Sequence, residues 1–377
     1  MNQHAVAPTP VMEPVTDHLP IKYVDYVELF VGNARQSAYY LAHAFGFEPF
    51  AFRGLETRTR DRVSYALRQG QCVFIVTGAL DSQTDAAEFV QAHGDGVRDI
   101  AFAVSDVRSC YEEAVRRGAV GLVEPHEDRD EHGIVSRAVI GTYGDTVHTL
   151  IDREQYKGAL LPGFVPFSFR DKVESVGLVA FDHLVGNVEL GRMNEWVRYY
   201  QHALGFSQYI SFEDDDISTE YSALMSKVMQ NQSGRIKLPI NEPAVGRKKS
   251  QIQEYLDFNA GPGVQHIALM THDIIATVAE LSARGVEFLQ TPASYYKELR
   301  ERFGQLEEGI DKLEAMNILV DQDEEGYLLQ IFSKPVVDRP TMFFEIIQRK
   351  GSRGFGKGNF RALFEAIERE QELRGNL

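Results

Sequence analysis

The chain has 377 residues, 44% of them apolar and 25% charged, with a formal net charge of −16. That length exceeds one ordinary core and points to two or more domains, while the acidic balance argues against nucleic acid or anionic membranes as partners. No apolar run approaches the roughly eighteen residues of a membrane span, and Cys72 and Cys110 alone cannot build a disulfide framework or a Cys-rich zinc site, which fits a reducing cytoplasm.

Residues 1–20 lack a charged n-region and an apolar h-region, so they are expected to be a flexible tail rather than a secretory signal. A first half is expected over 21–153. It begins with the strand around Val24-Asp25-Tyr26, followed by a helix through AYYLAHAFGF at 38–47. A glycine-flanked turn then leads into an apolar strand, GDGVRDIAFA at 94–103, and the half closes on Val147-His148-Thr149-Leu150-Ile151. Residues 154–178, rich in Gly, Pro and Ser, read as a linker. The second half, 179–377, repeats the order: Phe181-Asp182-His183, the helix VRYYQHALGF at 197–206, GPGVQHIA at 261–268, GYLLQIF at 326–332, and Phe343 to Ile347. Tyr40, His43, Gly46 and Phe47 recur as Tyr199, His202, Gly205 and Phe206 at one constant offset. In both places the glycine is suited to end a helix in the left-handed conformation. A last helix follows from 359, with Asn359 as its N-cap and Phe360, Leu363, Phe364 and Ile367 as its apolar stripe. Three matched segments in the same order imply a duplication. The expected fold is α+β, built from paired tandem βαβββ modules with an added C-terminal helix.

The duplication supplies an internal test for function. Where the second half has His183, the first has Tyr26; His266 faces Asp99, and Glu345 faces Thr149. One half therefore offers two imidazoles and a carboxylate at three equivalent strand positions, and the other offers no such set. Two His and one carboxylate form the facial triad of non-haem iron(II) oxygenases, which leaves adjacent positions open for substrate and dioxygen. Zinc accepts the same ligands. A carboxylate inside the apolar run Met342–Ile347 needs a cation or a proton. By strand alternation Phe343 shares the face of Glu345, and Gln330 shares that of Phe332.

The stretches FDHLVGNVELGRMNEWVRYY (181–200), IKLPINEPA (236–244), KKSQIQEYLDFNAGPGVQHIAL (248–269), DEEGYLLQIFSKPVVDRPTMFFEIIQR (323–349) and GFGKGNFRALFEAIEREQELRGNL (354–377) resemble the 4-hydroxyphenylpyruvate dioxygenases of the vicinal oxygen chelate superfamily, over nearly the whole chain. The resemblance implies two open barrels, glyoxalase-like and extradiol-dioxygenase-like, with Fe(2+) held only in the C-terminal one by His183, His266 and Glu345. It implies that Ser226, Asn241, Gln251, Gln265 and Gln330 belong to the substrate's hydrogen-bond network, and that Pro239, Phe332, Phe343, Phe355, Asn359 and Phe360 shape the binding site. It also makes the C-terminal helix a lid. Two of these assignments go against the residues' own pattern. Gln265 adjoins His266 and should point to the opposite face of a regular strand, and Gln251 in KKSQIQ has the look of a solvated residue. Phe332, Phe343 and Phe360 would otherwise read as core.

The implied reaction takes a small 2-oxo acid, 4-hydroxyphenylpyruvate, and dioxygen (O2) to homogentisate and carbon dioxide, in tyrosine and phenylalanine catabolism. The implied setting is a cytoplasmic homo-oligomer, dimer or tetramer. Alternatives are 4-hydroxymandelate synthase, which hydroxylates the benzylic carbon, an extradiol catechol dioxygenase, and a non-catalytic ligand-binding protein of the same fold.

Overall fold

The computed structural model describes residues 19–212, 223–244, 248–303 and 306–376. Residues 1–18 of the expected tail lie outside them, and Leu19 is already buried in the core. The first half runs β1 (Tyr23–Phe30), α1 (Ala34–His43), β2 (Glu48–Arg53), β3 (Arg62–Gln69), β4 (Cys72–Ala79), α2 (Asp85–His93), β5 (Gly96–Ala103), α3 (Val107–Arg116), β6 (Gly121–Asp130), β7 (Gly133–Gly141) and β8 (Val147–Asp152), with a short β9 (Val165–Pro166) after it. The second runs β10 (Leu178–Asn187), α4 (Met193–His202), β11 (Ser207–Phe212), β12 (Ala223–Gln230), β13 (Lys237–Ala244), α5 (Gln251–Asn259), β14 (Gly263–Thr271), α6 (Ile274–Ala283), α7 (Ala293–Arg302), α8 (Ile310–Ala315), β15 (Leu319–Gln322), β16 (Tyr327–Phe332), β17 (Phe343–Lys350) and α9 (Phe360–Leu373).

The helix starts follow from local chemistry. Asn33, Thr84, Asp106, Ser250 and Asp273 each accept a backbone N–H of the first turn that would otherwise lack a partner. Gly46 and Gly205, the matched glycines of the repeat, lie just past α1 and α4 with φ of 74° and 69°. At Gly46 a Cβ would sit 2.7 Å from the carbonyl oxygen of Glu174, so both the turn and the close approach require glycine.

The strands form two sheets, in the orders β6-β7-β8-β5-β1-β4-β3-β2-β9 and β11-β12-β13-β10-β14-β17-β16-β15. In each, two βαβββ modules lie side by side. Their first strands run antiparallel at the centre, β1 with β5 and β10 with β14. The last strand of each module returns parallel to its own first: β4 to β1, β8 to β5, β13 to β10, β17 to β14. The helix and strands between supply the crossover that parallel neighbours need. This is the expected α+β fold of paired modules, with α2 and α5 added between units and α7 and α8 inserted in the last one, between α6 and β15.

One apolar core joins the halves. Phe45 meets Phe344 at a ring separation of 4.8 Å, and Phe74 meets Phe181 at 5.3 Å. The concave side of the first sheet is filled from the segment that connects the halves. Tyr156, Leu160, Leu161 and Phe164 pack there against Tyr26, Ile75, Ala101 and Ile151. At about 1.5–3 kcal/mol for each fully buried large apolar side chain, this plug is a firm one. In the second sheet Phe212, Leu224 and Val228 instead pack against Ile252, Tyr255 and Leu256 of α5 and Phe364 of α9, beside a cavity.

Candidate metal centre and substrate cavity

His183 stands on β10, His266 on β14 and Glu345 on β17, three neighbouring strands of the second sheet. In register, His183 and Glu345 both lie beside Ala268, on either side of β14. The ligand-type atoms of the three residues all lie within 4.8 Å of one another, and all three are buried. The Nε2 atoms of His183 and His266 are 3.2 Å and 3.5 Å from Glu345 Oε2.

Their protonation shows what the site wants. Burial alone would push the Glu345 carboxyl up, but the two imidazoles outweigh it and hold it below the usual carboxylate range. Burial lowers His266. It acts on His183 in the same sense, yet Glu345 and Asp182 overcome it and raise that ring. Two imidazoles and an ionised carboxylate converging in a buried place suit a divalent transition metal. An all-oxygen set for calcium or magnesium is absent among the described residues here.

Two bulges aim the side chains. The β10–β14 pairing slips between Phe181 and His183, at Asp182, and again between Val185 and Gly186, opposite Gln265. A bulge re-aims a side chain that strict alternation would send the other way. Gln265 accordingly reaches the same cavity as His266, and its Oε1 lies 3.3 Å from His266 Nδ1. The opposite-face expectation for Gln265 fails for this reason. The His183 ring donates through Nδ1 to Asp182 Oδ1 at 2.8 Å. Arg349 grips Asp182 with Nε and Nη2, both at 2.7 Å. Burial would raise the Asp182 carboxyl, but Arg349 and His183 keep it well below the usual range.

A cavity opens over these three residues. Phe343 stacks on the His266 ring at 4.8 Å, and Phe332 meets it edge-on at 6.1 Å. Phe355 packs on His183 at 5.1 Å. Ser226 and Asn241 face each other across β12 and β13 and line the cavity with Pro239. Gln251 lines it too, from the first turn of α5, and is buried, so its solvated look in the sequence was misleading. The far wall is α9, through Phe360, Leu363, Phe364 and Ile367.

Two residues sit apart from this lining. Gln330 is buried with its amide under the backbone of Gly356, where a Cβ would lie 2.5 Å from Nε2. Asn359 precedes α9 but does not cap it with its side chain. Its Oδ1 instead accepts the Tyr295 hydroxyl at 2.7 Å, because Tyr295 on α7 is buried beside it. The N-cap expectation is therefore corrected.

The family models for "Hydroxyphenylpyruvate dioxygenase, HPPD, N-terminal" and "Glyoxalase/Bleomycin resistance protein/Dioxygenase superfamily" match residues 18–162 and 180–331. The chain is 48% identical to 4-hydroxyphenylpyruvate dioxygenase of Yarrowia lipolytica, covering 98% of each. It is 49% identical to that of Dictyostelium discoideum, covering 94% of this chain and 99% of the relative. The chain belongs to the 4-hydroxyphenylpyruvate dioxygenase family. Among solved structures, a triple mutant of 4-hydroxymandelate synthase from Streptomyces coelicolor superposes with a TM-score of 0.84 at 36% identity, covering 94% of this chain and all of that one. Against this family background the first sheet is informative. Tyr26, Asp99 and Thr149 occupy its three equivalent positions, since Asp99 lies beside Val147 as His266 lies beside Phe343. There they hydrogen-bond one another: the Thr149 amide and hydroxyl donate to Asp99 at 2.9 and 2.5 Å, and the Tyr26 hydroxyl at 3.3 Å.

Burial raises the Asp99 carboxyl to about 7, against those hydrogen bonds. The folded value lies above the ordinary one near 3.9, so the folded state holds this proton more tightly than the unfolded state. The stability it contributes is present below about pH 4 and is lost as the pH rises to about 7. Asp99→Asn is expected to shrink the drop in melting midpoint between about pH 5 and pH 8; an unchanged drop in parallel thermal melts would refute this.

Proposed function

We propose that the protein converts 4-hydroxyphenylpyruvate and dioxygen to homogentisate and carbon dioxide, with iron(II) held by His183, His266 and Glu345. The observation that carries this is the buried His/His/Glu set beneath an aromatic-walled cavity, in a chain with near-full-length likeness to proteins of that name. Iron(II), when bound, supplies Lewis acidity and the redox chemistry that dioxygen requires; zinc accepts the same ligands but is redox-inert.

The protein's own part is binding, orientation and exclusion of water. His183, His266 and Glu345 would hold the cation at the buried end of the cavity, and that is the end to which a substrate's 2-oxo acid would be oriented. Phe332 and Phe343 hold the aromatic ring, with Pro239 and Phe355 shaping the walls and Phe360 closing them. Ser226, Asn241, Gln251 and Gln265 supply the few polar contacts that fix orientation. Gln330 and Asn359 support from behind: one backs the loop at Gly356, the other ties the root of α9 to α7. No side chain needs to act as a nucleophile. We also propose a cytoplasmic homo-oligomer, dimer or tetramer. The exposed Val120, Leu122 and Val123 at the β6 edge support assembly, which light scattering tests.

The deciding experiment loads the protein with iron(II) without oxygen and then follows substrate-dependent oxygen uptake, with the product identified by mass and NMR. Homogentisate is the expected product. 4-Hydroxymandelate would move the assignment to the sibling reaction of the structural relative, and no uptake would overturn the enzymatic reading.

A further inference from the structure

We propose that Asp182 and Arg349 are positioning residues for the metal ligand His183, an inference that rests on the metal reading above. An ionised carboxylate only accepts hydrogen bonds. Asp182 Oδ1, 2.8 Å from His183 Nδ1, therefore fixes the ring proton on Nδ1 and turns the Nε2 lone pair toward Glu345 Oε2. Arg349 keeps Asp182 from swinging away through two parallel bonds of 2.7 Å. Arg349 is itself anchored, since Nη1 donates to the Gly354 carbonyl at 2.7 Å. Its guanidinium lies 5.6 Å from the Phe355 ring, which packs on His183. The ligand is thus held from two sides, by a carboxylate on its far nitrogen and by an aromatic ring on its flank.

The first half provides a built-in control. Asp25 sits at a bulge in β1, as Asp182 does in β10. It pairs with Arg153 just beyond β8, Nε to Oδ1 at 2.8 Å, so each pair ties the first strand of its half to the chain at the end of the last. The neighbour of Asp25 is Tyr26, which has no ring nitrogen and sends its hydroxyl to Asp99 instead. The Asp–Arg pair is a strand clamp in both halves. Only in the second has it gained a metal-ligand type to orient. There the arginine is also deeper, 13% exposed against 30% for Arg153, and it makes two bonds to the carboxylate in place of one.

The matched substitutions Asp182→Asn and Asp25→Asn separate the clamp from the orienting role, with cobalt(II) as the probe. Cobalt(II) is titrated into the metal-free full-length protein under nitrogen, and both the dissociation constant and the visible absorption band are recorded. Both variants are expected to lose melting temperature. Asp182→Asn is expected to weaken cobalt(II) binding by about 10–100-fold and to shift the band, because an amide can donate to Nδ1 and permit the other tautomer. Asp25→Asn should leave affinity within about twofold, as for a distant independent site. Wild-type affinity in Asp182→Asn, or an equal loss in Asp25→Asn, overturns the inference. Should Asp182→Asn fail to fold, Arg349→Lys is judged in its place: it keeps the charge and loses the two-bond grip, so a weakened, shifted cobalt site supports the role and an unchanged one refutes it. A wild-type chain that takes up no cobalt(II) fails before any substitution is made, and overturns the metal reading together with this one.

Discussion

Replacing His183, His266 or Glu345 by alanine is expected to reduce oxygen consumption with 4-hydroxyphenylpyruvate by at least about 1000-fold, or about 4 kcal/mol of transition-state stabilisation. The fold should survive, with near-wild-type circular dichroism. The three side chains line the cavity, so their truncation takes nothing from the apolar clusters that form the core. The effects should also be strongly non-additive, because the residues act as one unit: a double variant should be hardly worse than a single one. Glu345→Ala should behave differently from the two histidine variants without metal. It removes one of the two carboxylates that together overcome burial at His183, so that ring should become neutral at lower pH, visible by NMR titration of the metal-free protein. Near-normal turnover in any one variant, with the metal retained at full occupancy, would sink the ligand assignment.

The parts of this architecture that were legible in the sequence are those set by periodicity and repetition. The matched helix ends at Gly46 and Gly205, and the strand positions of Tyr26 and His183, Asp99 and His266, and Thr149 and Glu345, emerged from internal likeness alone because a duplicated module preserves register. The stripe Phe360, Leu363, Phe364, Ile367 predicted α9 and turned out to be the wall of the cavity. What was not legible depends on tertiary context. A bulge has no reliable sequence signal, so Gln265 was expected on the wrong face. The residue type of Asn359 suits an N-cap, yet a buried tyrosine hydroxyl from α7 takes its oxygen. The segment 154–178 read as a linker from its Gly, Pro and Ser content, while Leu160, Leu161 and Phe164 within it are buried inside the first sheet. Arg349, taken alone, has the look of an ordinary solvated strand-end charge. A signal for it existed: both halves place an aspartate just before the site strand position and an arginine after the final one.

The contrast between the halves shows how one fold supports two fates. The first sheet is closed by a plug of four large apolar side chains, and its three site positions satisfy one another by hydrogen bonds. In the second the three site positions also meet at one carboxylate, Glu345, but both of its partners there are imidazoles, and the helix that follows the last strand covers them across the cavity. His148 makes the same point for a single residue type. It is a strand histidine one position before Thr149, yet it faces the core between the halves, bonded to the Ile100 carbonyl and the Tyr200 hydroxyl, and burial lowers it to about 4. A histidine becomes a ligand candidate only where its partners leave Nε2 facing other donors.

Removal of α9 by truncation after Asn359 is expected to lower kcat/KM by about 100-fold or more, because the ring slot loses one wall and water gains entry. The helix is held by two different forces. Phe364 is buried against α5 and its neighbours, and Phe360 meets Phe212 edge-on at 5.0 Å. At its far end Arg374 donates to the buried carboxylate of Glu254 from Nε at 3.1 Å and Nη2 at 2.7 Å, and Asn376 adds a third bond at 2.9 Å. Bonds to a charged group contribute about 1.5–3 kcal/mol, so Arg374→Ala should loosen the helix without detaching its apolar face. It is expected to act in the same direction as the truncation but more weakly, about tenfold on kcat/KM, with faster proteolysis confined to the C-terminal helix. Glu254→Gln should be milder still, since the amide leaves no buried charge unpaired. If truncation left kcat/KM unchanged, α9 would be packing alone, and the closing of the cavity would have to come from the loop that carries Phe355.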